Sequence, residues 1–136
     1  MIGRLDELNQ LERFYNSSKF EFLTMYGRRR IGKTTILREF AGRHKALFFS
    51  AQEKNDSLNL LDFSKMVQTF FEGSFISSFQ NWEAAFEYIT GKISDKKLVL
   101  IIDEFPFLAE PNPSIKSILQ HTIDHEKKKK NIFLIL

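Results

Sequence analysis

FEFLTMYGRRRIGKTT, residues 20–35, is the stretch whose reading decides the fold. Its second half, Gly27-Arg28-Arg29-Arg30-Ile31-Gly32-Lys33-Thr34, satisfies G-x-x-x-x-G-K-[ST], the pattern of a loop that cradles phosphate. Such a pattern has meaning only between a strand and a helix, because the loop amides converge on phosphate when a helix N-terminus begins beneath them. Both neighbours are expected here. Residues 20–26 are aromatic enough for a strand, and residues 35–43 place Ile36, Leu37, Phe40 and Ala41 on one helical face.

Outward from this stretch, short dense apolar runs alternate with longer segments of helical period, which is the pattern of β/α units. Residues 6–16, with Leu5, Leu8, Leu11 and Phe14 at three-residue steps, predict an amphipathic helix before the first strand. A second strand is expected at 46–49. After it, Ser57 is a plausible N-cap for a helix with Leu60, Phe63, Val67 and Phe70 on one face. Trp82, Ala85, Phe86 and Ile89 mark a further helix that Gly91 would end. Strand three, residues 97–102, contains the unbroken run Leu98-Val99-Leu100-Ile101-Ile102, which suits a parallel strand covered on both faces. Asn112 as N-cap and Pro113 at the first position open a helix whose Ile115, Ile118, Leu119 and Ile123 face inward. A fourth strand is expected at 132–136. The predicted fold class is α/β, a three-layer core around a parallel sheet.

The chain of 136 residues is 43% hydrophobic, enough for one core. It contains no cysteine, so a disulfide framework and thiolate chemistry are excluded, and the cytoplasm is the expected compartment. Arg4, Asp6 and Glu7 interrupt the N-terminus, and the apolar runs are far shorter than a bilayer span, so no membrane partner is expected. Net charge is +3, of which residues 127–130 supply four, leaving −1 for the remainder. A chain-wide nucleic-acid footprint is therefore not predicted, and the lysine run reads as a solvated turn.

Gly27 and Gly32 permit the crowded or left-handed backbone that lets a loop wrap the β-phosphate. Lys33 adds a mobile charge for the β- and γ-oxygens, and the Thr34 hydroxyl is placed to ligate Mg²⁺. Asp103-Glu104 follow the apolar strand at its carboxyl end, where ligands bind in open α/β sheets. Asp103 would hold the Mg²⁺ through its water shell, and Glu104 would orient the water attacking the γ-phosphate. Arg28, Arg29 and Arg30 lie inside the loop, either as a solvent-facing rim or within reach of the γ-phosphate. His121 and His125 are four apart but lack the metalloprotease glutamate, so a surface pair is expected, and His44 suits the basic end of its helix. No N-K-x-D guanine motif occurs, since Glu53-Lys54-Asn55-Asp56 has the wrong order, and adenine is favoured by elimination.

With these residues in place, the chain resembles the prokaryotic ATPases often called archaeal-type ATPases, of the STAND class of AAA+-related P-loop proteins. The resemblance rests on GRLDEL at 3–8, YGRRRIGKTT at 26–35, DEFPFL at 103–108 and NIFLIL at 131–136. It implies ATP binding and slow, regulated hydrolysis used as a conformational switch, with Gly3 and Arg4 near the adenine and Thr35 completing the phosphate loop. It also implies the strand order 5-1-4-3-2. A sensor residue, a fifth strand, a helical lid and a winged-helix region would follow, none of which falls within these residues. The chain is thus expected to be an ATPase domain truncated on its C-terminal side, with its first strand left as an edge. Protein partners, self-association and nucleic-acid contacts would come through the absent region.

Two functions follow. The first is an ATPase core of a regulatory switch protein, using ATP and Mg²⁺. The alternative is a nucleotide-binding fragment without turnover. A small-molecule kinase is disfavoured, because no arginine-rich lid is visible and Glu104 suits activating water better than excluding it.

Overall fold

The structure is a computed structural model and describes residues 2–25 and 32–136, with the side chains of residues 2–4 outside that description. Four strands, β1 (Glu21–Leu23), β2 (Leu47–Ser50), β3 (Leu98–Asp103) and β4 (Ile132–Ile135), form one sheet in the order β1-β4-β3-β2. Every pairing is parallel, with Phe22 opposite Leu134, Leu100 opposite Leu134, and Ser50 opposite Asp103. This is the expected order without a fifth strand, and β1 lies at one edge among the described strands.

Helices α1 (Ile2–Tyr15) and α2 (Lys33–His44) cover one face of the sheet. Leu8 and Leu11 of α1 join Ile36, Leu37 and Phe40 of α2 against Val99, Ile101, Phe133 and Ile135. The other face is covered by α3 (Asp56–Glu72), α4 (Trp82–Thr90) and α6 (Ile115–Asp124), whose Phe63, Val67, Phe86, Ile89, Leu119 and Ile123 meet Leu100, Ile102 and Leu134. Successive β3 side chains point to opposite faces, so an unbroken apolar run is what a strand buried on both sides requires. Each such side chain contributes about 1.5–3 kcal/mol on burial. Phe63 centres an aromatic cluster, with ring centroids 5.2 Å from Phe49 and 5.1 Å from Trp82. The Trp82 indole N–H is satisfied by the Asp56 carboxylate at 3.1 Å, which ties the start of α4 to the start of α3.

The structure corrects several expectations. The first helix begins at Ile2, a full turn before Asp6. Asn55, not Ser57, caps α3: its side chain accepts from the Leu58 amide at 2.9 Å, and the Ser57 hydroxyl donates to Asn55. Phe70 is 42% exposed, and its neighbour Phe71 turns toward the core instead. Asn112 and Pro113 do not open α6, which starts at Ile115 after Ser114; Asn112 meets it through its backbone carbonyl, which accepts from the Ile115 amide. The unanticipated α5 (Pro106–Ala109) fills the loop after β3, with Pro106 at its first turn, where a missing N–H costs nothing. Residues 127–130 are exposed, and a 3₁₀ turn (Lys129–Asn131) leads into β4.

Candidate functional site

Because all four strands are parallel, the end of β3 at Asp103 and the start of α2 at Lys33 lie at the same edge of the sheet. That carboxyl edge is where crevices for ligands form in open α/β sheets. Gly32 caps α2 with φ 87°, a left-handed conformation that a side chain would strain, and its carbonyl accepts from the Ile36 amide at 2.9 Å. Among the described residues no side chain caps α2, and first-turn amides at a helix start are donors suited to an anion.

Asp103 is the focus of the site. It is 2% exposed, yet its carboxylate is fully partnered: Oδ2 accepts from the Thr34 hydroxyl at 2.8 Å, and Oδ1 accepts from the Glu104 amide at 3.1 Å. Lys33 Nζ lies 3.4 Å from Oδ1. A buried carboxylate is tolerated only with such hydrogen bonds and a nearby cation. Thr34 Oγ1 and the Asp103 carboxylate are also the hard oxygen donors a magnesium ion takes. Glu104 is exposed and holds φ 58°, rare for a residue with a side chain. The backbone on either side fixes it: the Asp103 carbonyl accepts from Ala51 N at 3.0 Å, and the Glu104 carbonyl from Phe107 N at 3.0 Å.

The structure thus brings together Gly32, Lys33, Thr34, Asp103 and Glu104. Thr35 is exposed on the first turn of α2. Gly27, Arg28, Arg29, Arg30 and Ile31 lie outside the described residues, as does the side chain of Arg4, while the backbone of Gly3 and Arg4 lies in α1. A cavity of about 340 Å³ opens beside Lys33, lined by Glu7, Gln10, Leu11 and Phe14 of α1 and by Leu23, Thr24 and Met25. His121 and His125 are exposed neighbours with ring centroids 4.2 Å apart, and among the described residues no group of three or more His, Cys, Asp or Glu is placed to hold a metal. His44 stacks on Tyr15 at 3.8 Å and meets Glu12 at 2.7 Å, fastening α2 to α1.

One residue escaped the sequence reading. Asn59 is fully buried, and its carboxamide brackets Gln52: the Gln52 amide donates to Oδ1 at 3.2 Å, and Nδ2 donates to the Gln52 carbonyl at 3.0 Å. This fixes the exit of β2 one residue beyond the Ala51 amide that holds the Asp103 carbonyl. The available signal was an amide-bearing residue directly before Leu60, at the edge of an apolar stripe.

Residues 1–136 match, over their whole length, the family described as an ATPase domain predominantly from Archaea. The chain belongs to that family. It is 32% identical over 136 residues to an uncharacterized protein of Methanocaldococcus jannaschii, covering 99% of this chain and 29% of that protein. A second relative, an uncharacterized ATP-binding protein of the same organism, is 41% identical over 44 residues, 32% of this chain and 75% of that protein. Among solved structures, the fold is shared with a chain of Drosophila ORC bound to DNA, with a TM-score of 0.54 and 14% identity, over 97% of this chain and 36% of that one. This archaeal-type ATPase domain therefore spans about a third of the length of the first relative and of that solved chain. Among the described residues no helix is long and apolar enough to cross a membrane.

Proposed function

We propose that this ATPase domain binds ATP with Mg²⁺ and hydrolyses it, as the core of a STAND-class switch protein. The observation that carries the reading is the contact between Thr34 and Asp103, 69 residues apart in sequence and 2.8 Å apart in space, with Lys33 beside them. That arrangement joins a phosphate-loop helix to an acidic strand end, and few other chemistries need both. The phosphates would sit over the first turn of α2, with the loop amides from Gly27 to Gly32 and Lys33 neutralising them. Thr34 and Asp103 would hold Mg²⁺, which when bound spreads the charge of the β- and γ-phosphate oxygens. Glu104 would accept the proton of the attacking water, and its left-handed backbone turns the carboxylate out of the strand line. The cavity beside Lys33 offers a purine the apolar faces of Leu11, Phe14, Leu23 and Met25 with the polar edges of Glu7 and Gln10. Gly3 and Arg4 precede that wall on the same helix, and the phosphate-loop sequence gives Arg28 to Arg30 a charge that would suit a polyphosphate.

Phosphate release from Mg·ATP by the wild-type protein tests the reading. Glu104→Gln should lower turnover by about 10²–10⁴-fold while leaving ATP binding intact. Unchanged hydrolysis in Glu104→Gln removes the assigned base. ATP binding without release in the wild type would leave the second reading, a nucleotide-dependent switch that does not turn over, in its place.

A further inference from the structure

The end of the sheet opposite Asp103 has its own chemistry. In sequence the basic residues fall in separate loops, but a parallel sheet brings every strand entry to one edge. In spatial order that edge carries Lys19 before β1, the run 127–130 before β4, Lys96 and Lys97 before β3, and Lys45 before β2. Four strands at about 4.8 Å spacing make this a row about 14 Å long. The row is fastened. Lys97 Nζ donates to the Lys19 carbonyl at 2.8 Å and to the Lys130 carbonyl at 2.7 Å, and Asn131 Nδ2 donates to the Ser94 carbonyl at 2.8 Å. Three loops are thereby held at fixed separation, with their remaining ammonium groups turned outward. Lys19, Lys45, Lys96 and residues 127–130 are exposed, and none of them forms an ion pair among the described residues. Carboxylates at Glu21, Asp95, Asp124 and Glu126 interleave with the row and leave it an excess of about four positive charges.

We propose that this basic edge binds the phosphate backbone of duplex nucleic acid without reading its sequence. Duplex DNA presents one charge per about 1.7 Å of axis, so a row of this length lies over several phosphates. Lysine heads on separate loops suit such contacts, because they neutralise charge and need no fixed angle. An anionic membrane fits less well: the large exposed apolar side chains among the described residues are Leu5, Leu58, Phe70, Phe75 and Ile76, and none lies in the four strand-entry loops. The surface is independent of the nucleotide site, at the other end of the strands.

The test is fluorescence anisotropy of the protein with labelled duplexes of about 20 base pairs and unrelated sequence, titrated at several salt concentrations. Dissociation constants in the range of about 10⁻⁴–10⁻⁶ M are expected, equal between sequences, with log K falling against log salt at a slope of about −3 to −4. The variant carrying Lys127→Gln, Lys128→Gln, Lys129→Gln and Lys130→Gln should reduce that slope by about 2, and Lys19→Gln with Lys45→Gln and Lys96→Gln should reduce it by at least about 1. All seven positions are exposed, and circular dichroism would verify that both variants stay folded. Absence of binding at low salt, or wild-type slopes in both variants, overturns the proposal. So does binding to vesicles containing phosphatidylserine with none to the duplex, which would assign the edge to a membrane.

Discussion

Glu104 carries a backbone conformation that can be tested apart from its carboxylate. A left-handed conformation costs a residue with a Cβ roughly 1–2 kcal/mol, and Glu104 sits there at φ 58° between two hydrogen-bonded carbonyls. Glu104→Gly removes that strain, and the greater freedom of glycine in the unfolded chain takes back roughly 0.5–1 kcal/mol. The variant should therefore be more stable by about 0.5–1 kcal/mol, a rise in Tm of about 2–4 °C for a domain of this size. Glu104→Gln keeps the strain and should leave Tm unchanged. Both would remove the proton acceptor proposed above, so both should lose about 10²–10⁴-fold in ATP turnover. Differential scanning calorimetry gives the first quantity and phosphate release the second. A Glu104→Gly protein that melts below the wild type refutes the strain argument, because the backbone would then need the side chain. A Glu104→Gly protein that still hydrolyses ATP refutes the role given to the carboxylate.

Lys33→Ala should weaken ATP binding by about ten- to a hundredfold, the worth of one hydrogen bond to a charged group, as read by calorimetric titration. Asn59→Ala frees both backbone groups of Gln52 and should lower stability by about 1–2 kcal/mol in denaturant unfolding. Its effect on turnover should fall on kcat rather than on ATP affinity, since Lys33 and Thr34 keep their contacts. On α3, the Glu72 carboxyl is held below its ordinary range, first by the hydrogen bond from Lys92 and then by that from Tyr88. A depressed carboxyl stabilises the fold above its unfolded value and ceases to do so as pH falls through its folded one. Glu72→Gln should accordingly flatten the acid limb of a Tm-against-pH curve, and an unchanged limb would show the pair to be solvent-screened.

What the sequence made legible was set by how far each signal reaches. The order of strands and helices was readable because residues 98–102 are apolar on both faces and Leu60, Phe63 and Val67 repeat at helical spacing. Helix starts were harder: Asn55 and Ser57 can each cap, two residues apart, and only the bond to the Leu58 amide decides between them. The α5 turn was hidden because DEFPFL reads as a strand end with a proline in a loop. The candidate site was legible as residue types, and the fold added the meeting of Thr34 with Asp103. Nothing local announces φ 58° at Glu104 or the bracketing of Gln52 by Asn59: the first depends on the bond from Ala51 at the exit of the neighbouring strand, and the second on how α3 folds back over the end of β2. The basic edge was invisible for the same reason: Lys19, Lys45, Lys96 and residue 130 become neighbours only once four strands run parallel.

The two ends of the sheet should act separately, and the strand that joins them says why. β3 has six residues, which at about 3.3 Å each set Asp103 about 20 Å from the lysine row. At physiological salt the Debye length is about 8 Å, so the basic edge lies more than two screening lengths from the phosphates that Lys33 would hold. Its charges can contribute little to capturing ATP. Coupling would then need β3 to move, yet Val99 and Ile101 are locked into one core and Leu100 and Ile102 into the other. A strand packed on both faces cannot slide part of a residue without opening both. The variant with four glutamines at 127–130 should therefore bind ATP within about twofold of the wild type at physiological salt. A larger change, persisting when salt is raised, would mean that the sheet transmits movement between its ends and that β3 is not the rigid divider its burial implies.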